Sequence, residues 1–421
     1  MTSDEPFDAL ERRDPAEREA ALLAALPAHV AAAQRTAAMG SVLADVQASA
    51  VTSRGALARL PVTRKHELFE RQRAQKDTDP FGGFSAIGWR ALGTARRAVR
   101  VYQSPGPIYE PDNGAHDYWR TARAMHAAGF RAGDLVHNSF SYHLTPGAWI
   151  MESGAQALSC TVFPGGVGNT ELQLQAMSEL RADAYAGTPS FLRILLEKAA
   201  ETGVPLPLLR KALVSGEAFP PSLRDWLAER GVVGFQAYAT AECGVIAYET
   251  AAREGLVLNE GAIVEIVRPG TGDPLPDGEV GELVVTVLNA DYPLVRFGTG
   301  DLSAVLPGRC PTGRTNTRIK GWMGRADQTA KVRGMFVHPS QVADLVRRHP
   351  EIARARLVIE GEMANDRMTL KVETASTAES LASAVAASVR DVTKLRADVV
   401  VVAPGSLPND GKVIEDARRY D

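Results

Sequence analysis

Apolar residues recur with two different spacings between about residues 117 and 235, and the two spacings alternate along the chain. Stretches such as PSFLRILLEKAAETG have apolar residues three and four positions apart, as in an amphipathic helix, whereas CTVFPG and DAYAG are short apolar runs. Helices and strands are therefore expected to follow one another in this region. Alternation at this spacing predicts a mostly parallel sheet with helices on both faces.

The N-terminal region is rich in alanine, with leucine and valine at helical spacing over residues 15–50. This pattern predicts two helices that break near Pro27, because proline lacks the N–H that an interior helical position donates. After Pro61, the stretch VTRKHELFERQRAQ predicts another helix with a threonine cap.

The pattern changes after Tyr238. The stretch VEIVRPGTGDPLPDGEVGELVVTVLN alternates apolar and polar residues around Asp277-Gly278, which predicts antiparallel strands joined at that turn. From about residue 328, short strands and two helices predict a small α+β domain. We therefore expect an α/β protein with an N-terminal domain of residues 1–326, including an antiparallel β subdomain at about 240–320, and a C-terminal domain of residues 327–421.

Composition narrows the class of protein. The chain has 421 residues, 45% hydrophobic and 23% charged, which is ordinary for a globular protein with more than one core. Its net charge of −3 gives no electrostatic reason to expect nucleic acid or an anionic membrane as a partner. Three scattered cysteines, an acidic N-terminus and the lack of a long apolar run favour a cytoplasmic protein with reduced thiols.

Four turns at or near predicted strand ends carry groups suited to ligand binding. Each turn alone is more typical of a protein surface than of a site, and it is their order and spacing that indicate a binding site. The carboxyl edge of a parallel sheet forms a crevice for ligands, and Glu242 and Asp301 place carboxylates in two of the turns. The turns are VSGEAFP (214–220), YATAECG (238–244), VRFGTGDLS (295–303) and GRADQTAKVRG (324–334).

A fifth stretch, VYQSPGPIYEP at residues 101–111, has a glycine-containing turn after a β-branched run. Such turns commonly bind phosphate through backbone N–H groups. Here, however, two prolines remove N–H donors, Tyr109 is bulky, and Glu110 would repel a phosphate. From the residues alone, the stretch is either an altered nucleotide loop or an ordinary turn.

The order of these motifs resembles that of the adenylate-forming superfamily of acyl-CoA synthetases, and most closely its phenylacetate–CoA ligase branch. The similarity also includes LARLPVTRKHEL, YAGTPSFLRILLEKA and PGSLPNDGK, and it extends over almost the whole chain. It implies a large N-terminal domain, a small mobile C-terminal domain and two half-reactions. A carboxylate attacks the α-phosphate of ATP, and the thiol of CoA then displaces AMP. The implied cofactors are ATP and AMP, Mg²⁺ and CoA.

The resemblance identifies the fifth stretch as an altered nucleotide loop. In that branch the same positions read Ser-Ser-Gly-Thr-Thr-Gly-Lys-Pro, and Ser104, Gly106 and Pro111 match. The remaining hydroxyls and the lysine, which would hold the β- and γ-phosphates, are replaced. Ala241 likewise replaces the Ser or Thr that normally precedes the motif glutamate, Glu242.

The resemblance implies a role for each motif residue. Lys412 would catalyse adenylation by bridging the substrate carboxylate and the α-phosphate, Glu242 would bind Mg²⁺, and Asp327 would be the hinge between the domains. An ordinary core role remains an alternative for the residues around the adenine and the acyl group. The residues implied to bind the nucleotide are Ser104, Gly106, Gly216, Glu217, Ala218, Tyr238, Asp301 and Arg325. Those implied to shape the acyl pocket are Phe140, Tyr142 and His143, with Trp149 beside them.

Three functions remain open at this point. The first is a cytosolic ATP-dependent acid–CoA ligase for an aryl or related acid, with a small-molecule carboxylic acid and coenzyme A as its partners. The second is a catalytically impaired family member that binds an adenylate or CoA thioester. The third is an adenylating enzyme that loads a carrier-protein thiol. Nucleic acid and membranes are not expected as partners, and a homodimer is left open.

Overall fold

A computed structural model describes most of the chain, namely residues 5–89, 97–323, 325–326, 330–333, 335–337, 339–361, 366–376, 379–408 and 412–418. Its contacts divide into two compact units, Met1–Gly324 and Arg325–Asp421, and each is described by itself. Among the residues that the structure describes, no helix has both the length and the apolar character needed to cross a bilayer.

The first unit contains the alternating helices and strands that the sequence predicts. Its helices are α1 (Pro15–Gln34), α2 (Ala37–Val42), α3 (Arg54–Ala58), α4 (Lys65–Ala74), α5 (Ala122–Ala127), α6 (Gly147–Ala157), α7 (Thr170–Glu179), α8 (Pro189–Thr202) and α9 (Pro221–Glu229). Its strands are β1 (Thr63–Arg64), β2 (Arg100–Ser104), β3 (Ile108–Asp112), β4 (Leu135–Asn138), β5 (Thr161–Pro164), β6 (Ala184–Gly187), β7 (Lys211–Val214), β8 (Val233–Thr240), β9 (Gly244–Glu249), β10 (Leu256–Leu258), β11 (Ala262–Val267), β12 (Gly281–Val287), β13 (Phe297–Ser303), β14 (Val305–Leu306) and β15 (Arg318–Ile319).

Helix α1 is continuous through Pro27, so the predicted break at that residue is wrong. A proline inside a helix costs about 3 kcal/mol, because it removes one hydrogen bond and crowds the preceding turn. Against this cost, Leu22, Leu26 and Val30 are buried along α1. Each such side chain contributes about 1.5–3 kcal/mol when it leaves water, so burial outweighs the local preference.

Within the described residues, the largest sheet has nine strands in the order β14-β15-β10-β9-β8-β7-β6-β4-β5. Strands β4 to β8 are parallel to their neighbours, and β8 is antiparallel to β9 on its other edge. Strand β5 is added on one side of β4, whereas β6, β7 and β8 are added in turn on the other side. Because connections between parallel strands are right-handed, α6 lies on one face of the sheet and α7, α8 and α9 lie on the other. Helix α5 packs with α6, and α7 packs with α8. The expected parallel sheet covered by helices on both faces is present.

The antiparallel strands at about 240–320 lie in two sheets. Strands β9, β10, β14 and β15 extend the large sheet, whereas β11, β12 and β13 form a second sheet with β1. The link from β11 to β12 comprises residues 268–280 and is longer than the expected tight turn at Asp277-Gly278. Pairing of β9 with β8 gives the edge of β8 hydrogen-bond partners that would otherwise be missing, which is the physical reason for the division.

Residues 100–112, which include the stretch that the resemblance identifies as an altered nucleotide loop, form an antiparallel hairpin of β2 and β3. Ser104 pairs with Ile108, so the turn contains only residues 105–107 and Glu110 belongs to β3. Alternate side chains of a strand point to the same face. Ile108 and Glu110 accordingly share one face of β3, and both are buried.

Two contacts fix the position of this hairpin. The side-chain amide of Gln72, on α4, donates to the carbonyl of Tyr109 at 2.9 Å and accepts from its N–H at 2.7 Å. On the β2 side, the N–H of Gln103 donates to the carbonyl of Leu144 at 2.8 Å. The hairpin is therefore held between α4 and the segment that follows β4.

The second unit is a small α+β domain. Its elements are β16 (Ala330–Val332), β17 (Met335–Val337), α10 (Pro339–Arg348), β18 (Arg354–Glu360), β19 (Arg367–Glu373), α11 (Glu379–Thr393), β20 (Asp398–Val402) and β21 (Ile414–Asp416). Within the described part of this unit, a four-stranded sheet has the order β20-β19-β18-β21, with β18 and β19 antiparallel and each outer strand parallel to its neighbour. Leu345, Leu357, Leu370 and Val385 belong to the core between this sheet and the two helices.

We expect Gln72→Leu to lower the free energy of unfolding of the first unit by about 2–3 kcal/mol, because it leaves the N–H and C=O of Tyr109 without their partner. Denaturation in urea measures the loss, and hydrogen exchange of the Tyr109 amide should become faster. Gln175→Leu is the matched control, since the exposed amide of Gln175 on α7 donates to the exposed Glu179. A change as small as that of the control, within about 0.5 kcal/mol, would contradict the role of Gln72.

Candidate active site

The carboxyl ends of β4, β6, β7 and β8 lie at one edge of the large sheet, since these strands are parallel neighbours. The segments that follow them are residues 139–143, 188–190, 215–218 and 241–243. Most of the candidate residues of the first unit lie in these segments. A crevice at such an edge is the usual ligand site of an open α/β sheet.

The turn after β7 contains the residues expected near the adenine. Gly216 has a φ of +81°, a left-handed conformation that favours glycine, and Glu217 and Ala218 follow it. The Oε2 of Glu217 accepts a hydrogen bond from the hydroxyl of Ser190 at 2.5 Å, and Ser215 donates to a carbonyl of β8 at 2.8 Å. The turn is thus fixed to the elements on both sides of β7.

Asp301, on β13, is held by two aromatic side chains. The hydroxyl of Tyr238, on β8, donates to its Oδ2 at 2.7 Å, and the indole N–H of Trp322 donates to its Oδ1 at 3.0 Å. The N–H of Asp301 donates to the hydroxyl of Thr299 at 3.1 Å. The structure therefore brings together Tyr238 and Asp301, as the sequence predicts, and orients the carboxylate.

Glu242 lies in the turn between β8 and β9, and its side chain is buried. Its Oε1 is 2.7 Å from the Nζ of Lys65, the first residue of α4. Burial by itself would raise the pKa of the Glu242 carboxyl, but the positive charge of Lys65 outweighs it and the pKa is lowered. The Oε2 of Glu242 accepts no hydrogen bond of normal geometry from the described residues. Glu242 is therefore an ionised, buried carboxylate with one oxygen unused.

Glu110 is fully buried and accepts a hydrogen bond from the hydroxyl of Ser104 at 2.5 Å. Burial, and then the negative charge of Glu242, raises the pKa of Glu110. The sequence places Ser104 and Glu110 in the stretch identified as an altered nucleotide loop, and in the structure they lie on the paired strands β2 and β3. Both side chains are buried. Gly106 lies in the turn, where a Cβ would come within 2.8 Å of Ile108.

The acyl-pocket candidates follow β4. The rings of Tyr142 and Trp149 pack edge to face, with centroids 5.3 Å apart. The hydroxyl of Tyr142 donates to Glu152 at 2.7 Å, and burial, together with this carboxylate, raises the pKa of the hydroxyl. Phe140 is half-buried, whereas His143 is exposed to solvent.

Three candidate residues lie at or beyond the boundary of the second unit. Arg325 is its first residue, and Lys412 is an exposed residue two positions before β21. Asp327, the expected hinge, lies outside the described residues.

Sequence reasoning missed Lys65, Ser190 and Trp322. Lys65 stands at the start of one predicted helix. Ser190 follows the sequence Gly-Thr-Pro at the start of another, so the local pattern indicates where each residue lies in its helix. No local signal connects either residue to a carboxylate in a distant segment. Trp322, in KGWMGR, lies two residues before a recognised motif, and its indole N–H was not considered as a hydrogen-bond donor to Asp301.

Comparisons with known proteins agree with this geometry. A family model described as AMP-binding enzyme matches residues 118–287, and one described as AMP-binding enzyme C-terminal domain matches residues 334–418. The first range contains the parallel strands and the turns that carry Gly216, Tyr238 and Glu242, and the second contains Lys412.

Relatives match over most of their length. The chain is 32% identical over 333 residues to the phenylacetate-coenzyme A ligase of Aromatoleum evansii, and 32% identical over 333 residues to that of Thermus thermophilus. In each case the match covers 75% of this chain and 72% of the relative.

Solved structures share the fold. A 2-hydroxyisobutyryl-CoA ligase in complex with 2-HIB-AMP and CoA superimposes with a TM-score of 0.82 at 26% identity, over 98% of this chain and 92% of that chain. This match confirms the predicted α/β architecture. The chain therefore belongs to the family of AMP-binding, adenylate-forming enzymes, within which it is similar to the phenylacetate–CoA ligases.

Proposed function

We propose that this chain joins an aromatic carboxylic acid to coenzyme A through an acyl-adenylate, as an ATP-dependent acid–CoA ligase. The observation that carries the proposal is the carboxylate of Asp301, which hydrogen bonds from Tyr238 and Trp322 hold in position. A fixed carboxylate can accept from both hydroxyls of a ribose. It lies where the family resemblance expects the nucleoside.

The nucleotide is bound by groups from several strand ends. Asp301 accepts from the ribose, and Arg325 contacts the ribose or a phosphate. The backbone from Gly216 to Ala218 and the ring of Tyr238 enclose the adenine. The contacts of Glu217 and Ser215 with neighbouring elements support this assignment, because they fix the turn before a ligand arrives.

Glu242 has the properties of a ligand for Mg²⁺. It is buried, Lys65 favours its ionised form, and its Oε2 has no hydrogen-bond partner among the described residues. Mg²⁺ prefers one or two carboxylates together with phosphate oxygens and water. When bound, the metal would neutralise charge on the phosphates.

Lys412 acts in the first half-reaction. A carboxylate oxygen of the acid attacks the α-phosphorus of ATP. The bond from this phosphorus to the oxygen that bridges the α- and β-phosphates breaks, and pyrophosphate leaves. The ammonium of Lys412 stabilises the negative charge shared by the two reactants, which is a matter of position and electrostatics more than of proton transfer. In the second half-reaction the CoA thiolate attacks the acyl carbon and AMP leaves, after rotation of the C-terminal domain about Asp327.

The aromatic acid is inferred from the side chains after β4. Tyr142 and Trp149 pack edge to face, and Phe140 lies beside them in sequence. Because the hydroxyl of Tyr142 is engaged with Glu152, the residue offers its ring and not a hydrogen bond. Walls of this kind favour a flat apolar acyl group. The exposed His143 stays a candidate at the edge of the pocket.

The reducing cytosol is the proposed location, since Cys160, Cys243 and Cys310 are all buried free thiols. The relatives do not favour the two alternative functions, an impaired adenylate-binding protein and a carrier-protein loading enzyme. Acid-dependent exchange of pyrophosphate with ATP over a panel of carboxylic acids tests adenylation and names the acid. Thioester formation with free CoA separates CoA from a carrier protein as the acceptor.

We expect Lys412→Ala to lower the adenylation rate at least about a hundredfold, the usual scale for one preorganised charge at a transition state. Thioester formation from supplied acyl-AMP should be far less affected, because the lysine acts only in the first half-reaction. Lys394→Ala, at an exposed lysine of the same unit, is the control. Equal losses in both half-reactions would contradict the assignment of Lys412.

We expect Asp301→Ala to weaken the binding of AMP by about 2–3 kcal/mol, because hydrogen bonds to a charged acceptor are lost and the partner hydroxyls stay unmet. Isothermal titration calorimetry with AMP measures the change. Asp273→Ala, at an exposed aspartate of the β11–β12 link, is the matched control. An unchanged affinity in the Asp301 variant would remove this residue from the ribose.

A further inference from the structure

We propose that Glu110 is a second protein ligand, together with Glu242, for the divalent cation that accompanies the triphosphate. Glu110 and Glu242 are referred to below as the two-carboxylate site. The proposal rests on the proposed function for its nucleotide, but the binding of the cation alone is a property of this site that can be measured separately.

The two carboxyl groups of this site come from β3 and from the turn between β8 and β9. Glu110 is on the buried face of β3, on the same side as Ile108, and Glu242 directly precedes Cys243 in the turn after β8. Ile108, Cys243 and Tyr292 belong to one core cluster. Helix α4 contacts both segments, through Gln72 with the backbone of Tyr109 on β3 and through Lys65 with the carboxylate of Glu242, and the negative charge of Glu242 acts on Glu110.

Three buried polar atoms around the site lack a hydrogen-bond partner among the described residues: Oε2 of Glu110, Oε2 of Glu242 and the hydroxyl of Tyr292. The hydroxyl is an independent observation, since Tyr292 is 4% exposed and comes from the segment between β12 and β13. Burial, and then the negative charges of Glu110 and Glu242, raises the pKa of the Tyr292 hydroxyl. Buried polar groups are normally paired, and an unpaired set that converges on one place indicates a ligand.

The charges point to a cation as this ligand. Two carboxylates face one ammonium, that of Lys65, which is 2.7 Å from Glu242. The side chain of Lys65 is 36% exposed, whereas that of Glu242 is 1% exposed, so Lys65 is the member that can withdraw to solvent. A divalent cation would favour the ionised form of both carboxyl groups, including that of Glu110, whose pKa is raised by burial and by Glu242.

The ligand set fits a magnesium-type cation. Such cations take oxygen ligands and keep several positions for water and phosphate. Across the residues that the structure describes, no group of three or more His, Cys, Asp or Glu residues could enclose a metal. Two carboxylates therefore leave the remaining positions to water and to phosphate oxygens. The loop lysine expected from the resemblance is replaced by Glu110, and with a cation bound this glutamate would attract the phosphates through the metal instead of repelling them.

The test measures the binding of Mn²⁺ to the whole chain without nucleotide. The electron paramagnetic resonance signal of the free ion reports how much Mn²⁺ remains unbound. Glu110→Gln keeps the shape of the side chain and its hydrogen bond with Ser104, and we expect at least about tenfold weaker binding of Mn²⁺, with the affinity for AMP unchanged. Lys65→Met should change the affinity in the opposite direction and bind Mn²⁺ at least about threefold more tightly, because the competing ammonium is removed.

Matched variants keep the outcome clear. Glu249, a buried glutamate on β9, forms ion pairs with Arg224 and Arg253. Glu249→Gln should leave the affinity for Mn²⁺ unchanged. If Glu110→Gln fails to fold in a thermal melt, Ser104→Ala removes the hydroxyl that holds Glu110 and should weaken Mn²⁺ binding about threefold. Unchanged Mn²⁺ affinity in a folded Glu110 or Ser104 variant would overturn the proposal. Failure of the proposed function is a different result, in which no acid supports pyrophosphate exchange whatever the affinity for Mn²⁺.

Discussion

Strand β8 is the element on which the rest of the site depends, because its two edges are paired in opposite senses. Its residues 233–236 pair in parallel with β7 and its residues 237–240 pair antiparallel with β9, and the chain turns back immediately after the strand. This reversal places Tyr238 near the end of the strand and Glu242 in the turn beyond it. Two further residues contact this pair: Asp301 accepts a hydrogen bond from the hydroxyl of Tyr238, and Lys65 forms an ion pair with the carboxylate of Glu242.

Buried carboxylates in the first unit differ in how completely hydrogen bonds and ion pairs satisfy their oxygens. Glu11 is fully buried, and it is matched by Arg314 at 2.7 Å and by the hydroxyl of Tyr248 at 2.6 Å. Glu242 pairs with the partly exposed ammonium of Lys65 and Glu110 accepts from the hydroxyl of Ser104, while Oε2 of each has no hydrogen bond of normal geometry from the described residues. An unmatched buried charge costs several kcal/mol, which a structural ion pair avoids by supplying the partner. The contrast distinguishes a cluster that anchors the N-terminal segment from one suited to a ligand.

The sequence predicted the features that depend on local order. The parallel sheet followed from the alternation of helix and strand patterns, and the turn at Gly216 followed from a glycine at a strand end. Tyr238 and Asp301, which were expected in turns, lie on strands β8 and β13. The division of the later strands between two sheets could not be predicted, because the period-two pattern is the same for either partner. The side of β3 that carries Glu110 depends on where the hairpin turns, and a shift of one residue reverses every side chain. The contact of Lys65 with Glu242 joins segments that no local pattern relates.

The clamp of Gln72 on Tyr109 has a thermodynamic consequence for ligand binding. A loop of glycines and hydroxyl residues loses conformational entropy when a nucleotide orders it, and that loss is subtracted from the affinity. In this chain the corresponding stretch is a hairpin of β2 and β3 with prolines at 105 and 107. The side-chain amide of Gln72 is hydrogen-bonded to the backbone of Tyr109 on β3. Its entropy is therefore lost when the protein folds. The substitutions that remove N–H donors from the stretch also remove its conformational freedom, so a ligand bound against it would lose no affinity to ordering it.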